Sequence, residues 1–164
     1  EEAQAAVAAC SYPPLGSRSN GPIVAAGALG PGYGAADTND NIVCIPMIET
    51  TEALANVGAI AEVPGIDAFY VGPSDMSRSL GITPSLEQMD DRFLDACTKI
   101  IDVAKANGIA PGVHSTPSLS ADRAALGFQM VTVTSDLQGA EMMAATALGA
   151  ARGGESTGES ASGY

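Results

Sequence analysis

The sequence predicts an α/β fold and, within that class, the C-terminal half of a (β/α)8 TIM barrel. Four short apolar segments alternate with helix-forming segments, which is the pattern of a parallel sheet with helical crossovers. Four βα units fit either a small open doubly wound sheet or half of a barrel that needs roughly 250 residues. The chain opens on an alanine-rich helical run that neither a strand nor an N-cap precedes, and this favours the half-barrel, with strands 5–8 present.

The elements follow from local chemistry. A first helix over residues 1–9 is stopped by Pro13 and Pro14, which cannot continue it. A loop rich in Gly, Pro and Ser then extends to about residue 41, with one helical turn near residues 24–29. Strands are predicted at 42–48, 67–72, 109–114 and 130–134, and the later helices at 51–62, within 87–107, at 120–126 and at 139–152.

Two stretches lack the apolar pattern of a packed element. Residues 73–86 contain Gly, Pro and Ser and are predicted to form a loop. Residues 153–164 have almost nothing to bury, so we expect a disordered tail after a domain of residues 1–152.

Composition excludes several functions. Nineteen Asp and Glu against seven Lys and Arg give a net charge of −12, which repels phosphate backbones and argues against nucleic-acid binding. No apolar run reaches the roughly 18 residues that span a bilayer, and no signal peptide is visible. Cys10, Cys44 and Cys97 form no zinc pattern and no disulfide framework. Buried free thiols and a cytoplasmic location are therefore expected.

Two carboxylates come directly after predicted strands. Glu49 follows the first strand and Asp75 follows the second. Because adjacent parallel strands end at the same edge of a sheet, the two side chains can form a hard oxygen site suited to Mg²⁺ or Mn²⁺. The alternative is that Glu49 caps a helix and Asp75 makes an Asx-turn.

The segment between these carboxylates can bind an anion. In Gly72-Pro73-Ser74-Asp75, backbone N–H groups can point at a substrate carboxylate, and Gly72 leaves room for close approach. An ordinary βα loop is the alternative interpretation.

Other polar residues near strand ends have two interpretations each. His114 is the only histidine and can be a general base or a structural side chain. Arg18 and Arg78 can pair with carboxylates or lie on the surface. Asp136 is interpreted as the N-cap of the last helix.

An ordered set of motifs resembles the HpcH/HpaI aldolase family, the class II pyruvate aldolases. The resemblance covers about residues 1–152. Its motifs are Tyr12-Pro13-Pro14-Leu15-Gly16-Ser17-Arg18, Met47-Ile48-Glu49-Thr50, Val63-Pro64-Gly65-Ile66-Asp67, Val71-Gly72-Pro73-Ser74-Asp75-Met76-Ser77-Arg78-Ser79-Leu80-Gly81, Ala110-Pro111-Gly112, Gly127-Phe128 and Ser135-Asp136.

The resemblance implies a TIM barrel that assembles as a homo-oligomer, commonly a hexamer. It implies that Glu49 and Asp75 hold a divalent metal (Mg²⁺, Mn²⁺ or Co²⁺), and that Gly72, Pro73, Ser74 and Asp75 bind the substrate. The implied reaction is reversible cleavage of a 4-hydroxy-2-oxo acid to pyruvate and an aldehyde through a metal-stabilised enolate. No Schiff-base lysine is needed.

The chain departs from the family pattern at two points. The family's catalytic His and Arg lie on earlier strands, so no catalytic residue is assigned here, and we expect the fragment alone to be inactive. Many members have Gln where this chain has Met47. A citramalyl- or malyl-CoA-type lyase, a non-catalytic barrel that serves as an assembly or binding module, and a flavodoxin-like domain are the alternatives.

Overall fold

The computed structural model describes residues 1–19, 27–28 and 39–153. Helices and strands alternate through most of these ranges. The helices are α1 (Glu2–Cys10), α2 (Thr51–Ala55), α3 (Val57–Ala61), α4 (Pro73–Ser79), α5 (Asp91–Ala106), α6 (Ser120–Leu126) and α7 (Asp136–Ala151), with a short 3-10 helix at Asn39–Asn41. The strands are β1 (Ala68–Val71), β2 (Ala110–His114) and β3 (Met130–Thr132).

The three strands form one parallel sheet in the order β1-β2-β3. Ala68 pairs with Ala110 at the start of the first ladder, and Gly112 pairs with Met130 at the start of the second. Neighbouring strands are therefore consecutive in the chain and joined by helical crossovers. The α/β class and the parallel sheet predicted from the sequence are confirmed.

The strand predicted over residues 42–48 is not a full strand. Only Met47 makes a bridge, to Tyr70 of β1. Tyr70 N donates to Pro46 O at 3.1 Å, and Ile48 N donates to Tyr70 O at 2.8 Å. Pro46 has no N–H to donate to β1, so the ladder is interrupted there. The segment nevertheless runs parallel to β1 along its edge.

Helix α5 covers one face of the sheet. Its apolar residues recur at helical spacing, and the sequence pattern that predicted the helix is confirmed by their burial. The buried members are Phe93, Ala96, Cys97, Ile100, Ile101 and Ala104. They share one core cluster with Phe69 and Val71 of β1 and with Val113 of β2. A Leu or Ile side chain buried in this way contributes about 1.5–3 kcal/mol.

Other predictions need correction. The loop predicted over residues 73–86 begins with α4, because Pro73 fits the first helical position after Gly72. The helix predicted over residues 51–62 is divided at Asn56 into α2 and α3. The last helix starts at Asp136, and its N-cap is Ser135, whose hydroxyl accepts from Gln138 N at 3.2 Å.

Several predictions lie wholly or partly outside the described residues. The helical turn near residues 24–29 and the tail after Gly153 belong there. Among the described cysteines, Cys44 and Cys97 are buried free thiols, as expected, whereas Cys10 is only half-buried. No helix in the described ranges is long and apolar enough to cross a membrane.

The opposite face of the sheet is open. Side chains alternate between the two faces of an extended segment. On the segment beside β1, Ile48 faces the core and is 1% exposed, whereas Val43 and Met47 face the other way and are 62% and 49% exposed. We refer to the α5 side as the covered face and to the Met47 side as the open face.

Candidate active site

Glu49 lies against the backbone of Gly72 on the open face. A Cβ built on Gly72 would lie 2.8 Å from Glu49 Oε2 and 3.1 Å from Met47 Cε. The register explains this contact, because Met47 is bridged to Tyr70 and the residues two positions further on share the same face. The first predicted metal ligand therefore lies directly over the glycine that precedes α4.

Asp75 lies in the first turn of α4, which starts immediately after Gly72. The first amides of a helix have no intrahelical acceptor, so the N–H groups of Ser74 and Asp75 remain available to a ligand. Pro73, at the first helical position, has no N–H to leave unsatisfied. The structure thus brings the predicted substrate-binding segment and Glu49 together.

The two carboxylate-bearing segments are also fixed at a second point. Thr51 N donates to Ser79 Oγ at 2.7 Å, and Ser79 Oγ donates to Thr51 Oγ1 at 3.3 Å. These bonds join the residue that starts α2 to the residue that ends α4. Glu49 and Asp75 are therefore held by elements that are hydrogen-bonded to each other.

The donor set fits a divalent cation that prefers oxygen. Glu49 is half-buried and Asp75 is exposed, and within the described residues neither carboxylate has a hydrogen-bond donor or a cation beside it. Their oxygens are free to coordinate, and carboxylate oxygen suits Mg²⁺ and Mn²⁺. The described chain contains no group of three or more His, Cys, Asp or Glu that could hold a metal, so water or substrate oxygens would complete the coordination.

A buried hydrogen-bonded chain supports α4 from behind. Ser77 Oγ donates to Pro73 O at 2.6 Å, and Gln88 Nε2 donates to Ser77 Oγ at 3.0 Å. Arg123 Nη2 donates to Gln88 O at 2.5 Å, and its guanidinium lies 5.3 Å from the centroid of the Phe93 ring. Arg123 is 2% exposed. The chain links α6 to the start of α4.

A second polar cluster lies on the open face. Tyr70 Oη is 3.1 Å from His114 Nδ1 and 2.5 Å from Thr132 Oγ1. The Tyr70 and His114 rings meet edge to face, with centroids 6.4 Å apart. The three residues come from β1, β2 and β3. His114 is therefore at a strand end, as predicted, and is tied into a cross-strand hydrogen-bonded cluster.

The remaining polar candidates lie elsewhere. Arg18 lies 5.0 Å from the centroid of the Tyr12 ring and donates to Cys10 O at 3.5 Å. Arg78 is exposed. Within the described ranges, neither arginine forms an ion pair. Asp136 is the first residue of α7 and is exposed.

A third carboxylate joins the loop after β2. Glu87 accepts hydrogen bonds from Ser118 Oγ and from Thr116 Oγ1, the latter at 3.0 Å. The hydroxyl of Ser118, and then that of Thr116, holds the pKa of the Glu87 carboxyl below its usual range. Because two hydroxyl groups are hydrogen-bonded to this carboxylate, it links the loop after β2 to the segment before α5.

Sequence reasoning did not find the partners of His114 or the chain behind α4. Tyr70 and Thr132 stand in apolar strand patterns, where each has the alternate-residue spacing of the open face. That spacing is the sequence feature that could have placed Tyr70 and Thr132 on the same face as His114. Nothing in the local sequence pairs Gln88 with Arg123.

The sequence profile described as HpcH/HpaI aldolase/citrate lyase matches residues 1–141 of this chain. The chain belongs to the HpcH/HpaI aldolase/citrate lyase family. It is 37% identical over 141 residues to 2-dehydro-3,6-dideoxy-6-sulfogluconate aldolase of Pseudomonas putida, a match that covers 84% of this chain and 54% of the relative. It is 35% identical over 137 residues to hydroxypyruvate/pyruvate aldolase of Rhizorhabdus wittichii, covering 83% and 54%.

Solved structures of the family share the fold. A family protein from Burkholderia cenocepacia has a TM-score of 0.76 at 25% identity, covering 92% of this chain and 60% of that protein. An HpcH/HpaI aldolase from Desulfitobacterium hafniense has a TM-score of 0.70 at 23% identity, covering 89% and 57%. The chain spans about half the length of the curated relatives it matches. The resemblance to the family seen in the motifs is confirmed.

Proposed function

We propose that this chain supplies the metal-binding half of a class II pyruvate aldolase, which reversibly cleaves a 4-hydroxy-2-oxo acid to pyruvate and an aldehyde. The observation that carries the proposal is the position of Glu49 over Gly72, immediately before the helix that carries Asp75. Family membership and the aldolase names of the relatives support it. The proposal includes a (β/α)8 barrel whose C-terminal half is this sheet, with the open face directed to the barrel interior.

In this proposal, Glu49 and Asp75 hold a divalent cation. The cation would supply Lewis-acid stabilisation of the charge that develops on the keto oxygen as the C3–C4 bond breaks. The amides of Ser74 and Asp75 bind the substrate carboxylate, since first-turn amides have no intrahelical acceptor. Gly72 lets the Glu49 carboxylate lie against the backbone, because a Cβ there would be 2.8 Å from Glu49 Oε2.

Bond cleavage also needs proton transfer. The C4 hydroxyl loses a proton as the aldehyde forms, and C3 gains one as pyruvate forms. The family's catalytic His and Arg match no residue here. We therefore propose that the 164-residue chain alone binds metal and pyruvate but does not cleave the aldol. Measurable cleavage by this chain would contradict that part of the proposal.

The proposal is tested by Mn²⁺ binding, measured by electron paramagnetic resonance on the wild type and on Glu49→Gln and Asp75→Asn. We expect each substitution to weaken binding at least tenfold, about 1.4 kcal/mol, because a charged oxygen ligand is lost. Asp102→Asn, an exposed carboxylate on α5, is the matched control and should bind like the wild type.

Pyruvate is added in a second arm. The proposal predicts that pyruvate binds to the wild type in the presence of Mg²⁺ and not after chelation. A wild type that never binds a divalent cation would overturn the proposal and favour a non-catalytic assembly module. The homo-oligomeric state and the cytoplasmic location stay predictions.

A further inference from the structure

The open face carries one cluster that the proposed reaction does not use. Tyr70, His114 and Thr132 come from three consecutive parallel strands and are hydrogen-bonded across them. Side chains beside them on this face are apolar or absent: Met47, Gly112 and Met130 share the row of Tyr70. Three polar groups together in such a setting either satisfy one another or serve a ligand.

The register places His114 beside the metal-binding carboxylates. Val71 pairs with Val113, so the next row of the ladder contains Gly72 and His114, and His114 pairs with Thr132. Glu49 lies over Gly72 from the other side. Since neighbouring strands are about 4.8 Å apart, Glu49 and His114 flank Gly72 in one row. Gly72 has no Cβ, and Glu49 Oε2 and Met47 Cε lie close to where one would be, so no side chain of Gly72 stands between Glu49 and His114.

One nitrogen of His114 remains for a ligand. Nδ1 is engaged by Tyr70, and in the part of the chain that the structure describes nothing is bonded to Nε2. The ring is half-buried, so a small molecule held beside Glu49 can reach it. Tyr70 and Thr132 fix the orientation of the ring, because the Tyr70 hydroxyl is hydrogen-bonded to both the ring nitrogen Nδ1 and the Thr132 hydroxyl.

The hydrogen-bond chain suits a hydroxyl group on the ligand. If Thr132 donates to Tyr70 and Tyr70 donates to Nδ1, the neutral ring has its proton on Nε2 and donates. If the chain runs in the opposite direction, Nε2 has a lone pair and accepts. A hydroxyl can both accept and donate, whereas a keto oxygen can only accept.

We infer that His114 is a further substrate-binding residue, which holds a hydroxyl group next to the keto-acid unit of the substrate, with Tyr70 and Thr132 as its positioning residues. The inference rests on the proposed function, which places the keto acid beside Glu49 and Asp75. The inference predicts that the site prefers 2-oxo acids with a hydroxyl group on the carbon beside the keto group.

Two probes that differ by one hydroxyl test the inference. Pyruvate and hydroxypyruvate are titrated by calorimetry into the 164-residue chain with saturating Mg²⁺. We expect hydroxypyruvate to bind about three- to tenfold more tightly, the value of one hydrogen bond in a site, and His114→Leu to remove that difference while pyruvate and Mn²⁺ bind as before. A difference that is absent in the wild type, or unchanged in His114→Leu, would overturn the inference and leave the aldolase proposal standing.

His114 is the only histidine, so every imidazole ¹⁵N signal belongs to it, and the couplings to the ring protons distinguish Nδ1 from Nε2. With Mg²⁺ present, hydroxypyruvate should shift the Nε2 signal and pyruvate should not. Tyr70→Phe and Thr132→Val should change the ratio of the two tautomers in any case, but they should also reduce the Nε2 response to hydroxypyruvate, which a purely structural cluster would not show. An Nε2 signal that ignores hydroxypyruvate also overturns the inference. If neither acid binds in a metal-dependent way, the aldolase proposal fails as well, so the two failures are distinguishable.

Discussion

The covered face and the open face of the sheet use alternate residues of the same strands for different purposes. Residues of the covered face pack under α5, and Phe69 and Val113 are both 0% exposed. The open face includes the exposed or half-buried side chains of Met47, Tyr70 and Thr132, together with the candidate site residues Glu49 and His114. The comparison teaches that stability and candidate chemistry are separated by one residue along each strand, because side chains alternate with period two.

The largest effect should come from a cavity under α5. Phe69→Ala removes a fully buried ring from the core cluster, and we expect the free energy of unfolding to fall by about 3–5 kcal/mol. Met47→Ala, on the open face, should cost less than about 1 kcal/mol. Urea denaturation followed by circular dichroism measures both. Equal losses of unfolding free energy in the two variants would contradict the difference between the covered and the open face.

The buried chain behind α4 should be the next most sensitive feature. The Gln88 side chain donates to Ser77 and Thr83 and accepts from Met89 and Asp90. Gln88→Leu leaves these groups unpaired and should cost about 2–3 kcal/mol in urea denaturation. Gln129→Leu changes an exposed side chain and should stay within about 0.5 kcal/mol. An unchanged free energy of unfolding in Gln88→Leu would show that the hydrogen-bonded chain behind α4 does not contribute to stability.

A single methyl group on the open face should affect binding more than folding. In Gly72→Ala the new Cβ meets Glu49 Oε2 at 2.8 Å, so the carboxylate must move. We expect Mn²⁺ to bind about tenfold more weakly, which corresponds to about 1.4 kcal/mol. Gly139→Ala has nothing within 4 Å and should bind Mn²⁺ like the wild type. An unchanged Mn²⁺ affinity in Gly72→Ala would indicate that Glu49 does not bind the metal.

The smallest effect should be a pH dependence from the covered face. Burial raises the pKa of the Cys97 thiol to about 12. Below about pH 8.5 the thiol is protonated in both states. Above that pH the unfolded chain loses the proton and the folded chain keeps it, so the free energy of unfolding falls as pH rises towards 12. The stability advantage of the wild type over Cys97→Ala should therefore shrink by less than about 1 kcal/mol between pH 8 and pH 9, a difference measured by urea denaturation. An advantage that stays constant over this range would contradict burial of the thiol.

The sequence by itself determined the fold class and the neighbourhood of the candidate site. Alternating apolar strands and helices predicted a parallel sheet, and the period of α5 predicted its buried face. Because parallel strands end at one edge, Glu49 and Asp75 could be assigned to the same edge from their order alone. The motifs around them identified the family.

Only the tertiary structure decided which side chains meet. It turned the segment after Gly72 into a helix, and it reduced the first strand to one bridge beside Pro46. It also joined Tyr70 to His114 and Gln88 to Arg123. These pairs are 44 and 35 residues apart in the chain. Local propensity depends only on nearby residues, so it cannot predict contacts at that separation. The packing of strands and helices brings them together.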